Sequence, residues 1–184
     1  MEKSNPPPLR LSLQTDRLVL RPSGYQHASR AVEILSDWEV SRMLTRATFP
    51  PDEEKIRDWF LDHRREWPDG IAYRFAILHR AKMIGLVDIE GVTDSEGELG
   101  YWLEQSAWGR GFAFEAATAA VNFAFEKVGL SKLRAAHAFD NEASGGVLRK
   151  LGFRALDNVQ RFSHSRREDI VQRRYILTSR AGSR

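Results

Sequence analysis

Trp108-Gly-Arg-Gly-Phe-Ala-Phe-Glu-Ala116 follows a strand-like run, Glu98-Leu-Gly-Tyr-Trp-Leu103, and opens straight into an alanine-rich helical pattern. The first turn of a helix carries backbone N–H groups with no intrahelical partner, and the aligned peptide dipoles add partial positive charge there. Gly109 and Gly111 lack a Cβ, so they accept positive φ and let a diphosphate come against the main chain, while Arg110 adds a mobile counter-charge. The stretch Trp108, Gly109, Arg110, Gly111, Phe112, Ala113 and Phe114 therefore reads as the seat of a nucleotide-like molecule. A Walker loop is excluded because no Gly-Lys-Ser/Thr follows, and a dinucleotide G-x-G-x-x-G fails because position 114 is Phe.

What remains resembles motif A of the GNAT superfamily of acetyl-CoA-dependent N-acetyltransferases, Gln/Arg-x-x-Gly-x-Gly/Ala, with Trp108, Gly111 and Ala113 at its defining places and Trp108 departing from Gln/Arg. The Gly-Tyr-Trp-Leu before it and the Glu-Ala after it are similar to the RimJ/RimL branch, whose known members acetylate ribosomal-protein N-termini. Thr15-Asp-Arg-Leu-Val-Leu-Arg-Pro22 resembles that branch's opening strand, Met83-Ile-Gly-Leu-Val-Asp88 its third, and Asn141-Glu-Ala-Ser144 with Leu151-Gly-Phe153 its fourth helix and exit. The resemblance covers about residues 14 to 178. It implies an α/β (α+β) fold with a mixed, mostly antiparallel sheet of six to seven strands and helices on both faces. It implies acetyl-CoA as cosubstrate, no metal, and a primary amine as acceptor, either a peptide N-terminus or a small molecule.

The resemblance also assigns residues. Main-chain groups of Tyr101, Trp102 and Leu103 would meet the pantetheine arm, Asn141 would bond to it, and Ser144 would sit near the sulfur as proton donor or its positioner, with water the alternative donor. Many relatives use a tyrosine one turn later, where this chain has Leu148. Glu98 is the candidate base, because the family often places a carboxylate acting through water on that strand; Asp88, Glu90 and Asp169 are its alternatives. His137 is chemically apt as a base but reads as a hydrogen-bonded core residue. Capping alone would explain Asn141. Glu115 reads as structural, and Gly145-Gly146 is unusual inside a helix, where each glycine costs about 1 kcal/mol against alanine. Trp38, Met43, Phe49, Trp59 and Trp67 would be mostly core, with one or two lining the acceptor pocket.

Composition narrows the chemistry. The 184 residues include no cysteine, which excludes disulfides, thiolate metal sites and a cysteinyl acyl-enzyme. Acetyl transfer would therefore proceed by direct attack of the amine in a ternary complex. No apolar run approaches the roughly 20 residues of a membrane span, so a cytoplasmic protein with no membrane partner is expected, as a monomer or homodimer. Net charge is +3, and the arginines from Arg161 to Arg184 read as a solvated basic face, with nucleic acid not expected as a partner. Residues 1–12, with Pro6-Pro-Pro8, read as a flexible tail and 13–180 as one domain. Within it the pattern gives a strand at 17–22, helices near 26–36 and through Ile56–Trp67, and an antiparallel hairpin at 72–79 and 82–90. A strand at 97–104, a long helix ending at Gly129, a strand at 133–139, a short helix at 142–151, and strands at 153–161 and 169–178 follow. The 133–139 strand returns through a helix, so parallel pairing with 97–104 is expected. Two other readings stay open: an acetyltransferase for a small-molecule amine such as a polyamine or aminoglycoside, and, in a different class, a catalytically weak acyl-CoA-binding regulatory module.

Overall fold

The computed structural model describes residues 11–179. The expected tail falls outside the described residues except for Leu11 and Ser12, and Leu11 already packs against the core. Strands β1 (Leu13–Gln14), β2 (Val19–Pro22), β3 (Tyr73–His79), β4 (Lys82–Glu90), β5 (Glu96–Leu103), β6 (Lys132–Ala138), β7 (Arg154–Ser163) and β8 (Glu168–Thr178) form one sheet in the order β1-β2-β3-β4-β5-β6-β8-β7. Eight strands among the described residues exceed the six to seven expected. Part of the excess is β1, whose two residues are too short to carry a periodic pattern. Every pairing is antiparallel except β5 with β6, as the helical crossover requires.

Helices α1 (Ala28–Leu35), α2 (Trp38–Ser41), α3 (Glu53–Glu66), α4 (Phe112–Phe123) and α5 (Glu142–Lys150) cover both faces. The alternation of β3 divides the two cores: Tyr73, Phe75 and Ile77 face α4, while Ala76 and Leu78 face α1 and α3. Alanines 116, 117 and 120 on α4 are fully buried, so that helix lies close on the sheet. Trp67 closes the far end, edge-on to Tyr73 and Phe75 with both centroids at 5.1 Å. The α4 helix passes into a π-turn over Ala124–Val128 and stops at Gly129, whose φ of 83° supplies the left-handed cap. The β3–β4 hairpin turns on Arg80 and Ala81 at φ 51° and 65°, a geometry normally reserved for Asn-Gly. The strong pairing on either side holds these residues in it.

One buried group contributes to the acid sensitivity of this scaffold. His63 on α3 is 3% exposed, with Nδ1 2.7 Å from Ser23 Oγ, which in turn lies 3.1 Å from the Arg74 carbonyl. An Nδ1–H donated to Ser23, and the hydroxyl proton passed on to Arg74 O, satisfies both donors and leaves Nε2 as a bare acceptor among aromatic rings. Burial, reinforced by the Arg74 charge, holds the His63 pKa at about 3, against an ordinary 6.5. Between those values the unfolded chain binds the extra proton. The stability due to neutral His63 is therefore complete above about pH 6.5 and is lost as pH falls toward 3, with a slope of up to about 1.4 kcal/mol per pH unit. His63→Leu should be modestly less stable at pH 7 but lose less stability on acidification from pH 6.5 to 4 in urea titrations. Equal slopes in variant and parent would reject this role.

Candidate active site

The glycine turn has the conformation that its sequence demands. Gly109 and Gly111 sit at φ 70° and 78°, and Gly111 is the N-cap of α4, so the first amides of the helix, at Phe112, Ala113 and Phe114, have no intrahelical acceptor. The side chains around them are engaged elsewhere. Trp108 Nε1 donates to the Leu103 carbonyl at 3.0 Å, pinning the turn to the end of β5. Phe112 is buried under the guanidinium groups of Arg17 and Arg110, 4.6 and 4.8 Å from its ring centroid. Glu115 accepts from Thr15 Oγ1 at 2.6 Å and from Arg17 N and Nε at 2.8 and 2.7 Å, which makes it the structural clamp between β2's approach and the turn. Burial works against its charge, but these bonds keep its carboxyl below the ordinary range, and Arg17 neutralises what would otherwise repel an anion.

The β5–β6 seam carries three registered pairs, ending at Glu98↔Arg134, while β6 stays paired with β8 as far as Ala138. From Leu99 to Leu103 the β6-facing edge of β5 therefore has no strand partner, and the sheet splays. The first turn of α5 fills the far side of that gap. Asn141 caps the helix by accepting from Ser144 N at 3.2 Å. The Ser144 hydroxyl lies 2.8 Å from Tyr101 Oη, reached from β5. Leu148, one turn on, is a core side chain. An added Cβ at Gly145 would lie 2.7 Å from His137 Nε2, whereas one at Gly146 would meet nothing closer than 4.0 Å. Gly145 is thus required for α5 to seat on β6; Gly146 is not.

Above the splay lies a cavity of about 430 Å³, whose lining includes Trp59, Asp88, Glu90, Glu98, Tyr101, Asn141 and Ser144. Its carboxylates differ sharply. Asp88 is buried and bonded to Arg74, which also holds Glu66 (2.8 Å) and Glu90 (3.0 Å). Burial opposes the Arg74 charge, yet these partners keep its pKa above the ordinary value. Glu90 is further bonded by Arg46. The Glu98 side chain makes no ion pair or hydrogen bond among the described residues and still reaches solvent; partial burial of its carboxyl by the cavity walls, then the Glu90 charge, pushes its pKa up against the pull of Arg46, Arg134 and Arg161. A second cavity of about 320 Å³ shares Arg46, Glu90 and Glu98 with the first, so Glu98 borders both. No group of three His or acidic residues suited to a metal occurs among the described residues.

Residues 17–154 match the acetyltransferase (GNAT) domain family. The chain belongs to the GNAT acetyltransferases. It is 30% identical over 145 residues to the uncharacterised N-acetyltransferase YoaA of Bacillus subtilis (strain 168), covering 77% of this chain and 81% of YoaA. It is 28% identical over 163 residues to the FsC-acetyl coenzyme A-N(2)-transacetylase of Aspergillus fumigatus, covering 82% of this chain and 67% of that protein. Among solved structures, RimL, a ribosomal L7/L12 alpha-N-protein acetyltransferase in complex with coenzyme A, superposes with a TM-score of 0.82 at 17% identity, over 91% of this chain and 98% of RimL.

For this GNAT chain the fold gathers Glu98, Tyr101, Trp102, Asn141 and Ser144 around one cavity, with Asp88, Glu90 and His137 also in its lining. Asp169 is not brought there: it is exposed, paired with Phe162 at the outer end of the β7–β8 hairpin. His137 is buried with both nitrogens engaged, Nδ1 at 2.7 Å from Ala138 O and Nε2 at 3.2 Å from Tyr175 Oη. Of the five aromatic and Met positions, Trp67 is fully buried core and Met43 and Trp59 line the cavity, matching the one or two expected there, but Trp38 is exposed beside Phe49, so fewer are core than expected. Arg74 and Arg46 were not anticipated, although a lone arginine in the apolar run Tyr73–Leu78 was a signal for a buried ion pair. Of the arginines read as a solvated basic face, Arg174 pairs with Asp157 at the surface, whereas Arg166, 14% exposed, is built into the structure through Asp140 and the Arg42 carbonyl. No helix of the described residues is long and apolar enough to cross a membrane. The glycine pair gives a contrast: Gly145→Ala should lower stability by about 1–3 kcal/mol through overpacking against His137, while Gly146→Ala should be neutral or stabilising by up to about 1 kcal/mol. Chemical denaturation of both checks this, and equal effects would refute it.

Proposed function

We propose that this chain moves the acetyl group of acetyl-CoA directly onto a primary amine presented as a free chain end, a peptide or protein N-terminus. The carrying observation is the cavity over the splay, where an ion-pair-free Glu98 and the Ser144 hydroxyl share one lining. In this reading the amides of Phe112 to Phe114, with Arg110, hold the diphosphate. The free edge of β5 and Asn141 receive the pantetheine arm. The Leu103 carbonyl belongs to Trp108, so recognition on that edge falls to the remaining main-chain groups. The amine nitrogen attacks the thioester carbonyl and its proton passes to Glu98, directly or through water. The C–S bond then breaks, with both electrons leaving on sulfur beside Ser144.

The walls of the cavity favour a free end over an internal side chain. Residues 42–46 are tied to the β7–β8 turn: His164 N donates to Thr45 O at 2.9 Å, Arg166 Nε to Arg42 O at 2.7 Å, and Gln172 Nε2 to Thr45 Oγ1 at 2.6 Å. This bridge closes one side of the cavity, which supports entry of a chain end over passage of a continuous chain. The likeness to RimL, an alpha-N-protein acetyltransferase, points the same way. A small-molecule amine is the second reading, supported by the indole of Trp59 in the lining and by the FsC-acetyl transacetylase relative.

An acetyl-CoA turnover assay against peptide N-termini and small amines decides between these readings. N-terminal peptides should be preferred, and binding without turnover on any amine would reduce the chain to an acyl-CoA-binding module. Gly111→Val should weaken acetyl-CoA binding at least about tenfold, because a β-branched residue is strained at φ 78° and crowds Arg17 Nη2; calorimetry giving the parent's affinity in a folded variant would refute the diphosphate assignment. Glu98 acts only when ionised, so activity in the parent should fall with pH through its raised pKa. Glu98→Gln should lose that acidic limb and about 100-fold in kcat/KM, while a profile of unchanged shape and height would exclude Glu98 as the base.

A further inference from the structure

Resting on the acetyl-transfer reading above, we propose that Tyr101 is a positioning residue that holds the Ser144 hydroxyl and makes it a stronger hydrogen-bond donor to the departing thiolate. The geometry carries this. Tyr101 Oη lies 2.8 Å from Ser144 Oγ and 3.1 Å from the Ser144 carbonyl, so one phenolic proton has two acceptors on the same residue. With the phenol donating to the carbonyl, the serine proton rests on Tyr101. With the phenol donating to Oγ, the serine proton is free to turn toward sulfur, and its donor strength rises because its oxygen is itself accepting a hydrogen bond. The Ser144 N–H is already spent on the Asn141 cap, so the hydroxyl is the only donor this side chain brings to the cavity.

The alternatives nearby are committed. Tyr175, the other phenol beside Tyr101, donates to His137 Nε2, because His137 Nδ1–H is taken by Ala138 O. Leu148 puts no hydroxyl on the next turn of α5. Burial pushes the Tyr101 pKa up to about 12, with Ser144 pulling against it, so the phenol stays protonated and a donor throughout the neutral range. No proton leaves Tyr101 in this scheme. The C–S electrons go to sulfur, the amine proton goes to Glu98, and the thiolate takes its proton from solvent on release.

Two measurements test the proposal, the first independent of any acceptor. Ultraviolet titration of the thiol of bound CoA should place its pKa about one unit below that of free CoA. Tyr101→Phe should return it most of the way while CoA affinity stays within about threefold of the parent. In turnover, Tyr101→Phe should lower kcat about tenfold with little change in KM for acetyl-CoA, and the double variant with Ser144→Ala should be no slower than Ser144→Ala alone, the signature of residues acting as one unit. Parent-like thiol titration and kcat in Tyr101→Phe, or losses that multiply in the double variant, would overturn it. If the parent acetylates no amine, the functional reading fails and the thiol titration alone decides Tyr101.

Discussion

The short seam between β5 and β6 is the constraint on which the site depends. Parallel strands cannot be joined by a tight turn, so the chain leaves β5, makes the glycine turn, runs along α4 and returns as β6. The strands meet over three pairs and then part, because β6 keeps its full ladder with β8. Unpaired main-chain groups are normally a cost. Here they border the cavity, and the same departure makes room for the cap of α5. Glycine turn, splay and serine-bearing cap are thus consequences of one crossover.

Charge beneath the cavity is organised around Arg74. A single guanidinium, 6% exposed, serves Glu66, Asp88 and Glu90. Ions this far from water are tolerated only with partners, and removing one partner is far more damaging than the pair is stabilising. The arrangement satisfies Asp88 and Glu90 and leaves the neighbouring Glu98 without an ion-pair partner among the described residues. Arg74 also helps to keep His63 neutral, so the charge that partners the carboxylates contributes to the scaffold's sensitivity to acid.

Local physics made much of this legible in the sequence. The glycine turn, the helix it starts, the stop at Gly129, the β3–β4 hairpin and the parallel return all follow from periodicity, backbone freedom and connection length. So did Asn141 as a cap and Glu115 as a structural acid, since both depend on their place in a first helical turn. The hairpin also marks the limit. A mirror about Arg80-Ala81 pairs Arg74 with Val87, and only the bulge between Ile77 and Leu78 shifts the register by one to Asp88. A one-residue change of that kind reverses which side chains face each other, and sequence periodicity does not encode it.

The sequence by itself determined the order of elements, the family resemblance and the residue types at the crossover, because each rests on interactions within a few residues of one another. Tertiary structure alone decided which carboxylate is left unpaired, why Gly145 rather than Gly146 matters, and that a strand tyrosine supplies the hydroxyl beside Ser144. Those outcomes turn on distances between segments far apart in the chain, such as Tyr101 and Ser144 or Gly145 and His137. Such distances are fixed by how helices seat on a twisted sheet, and no local pattern carries them.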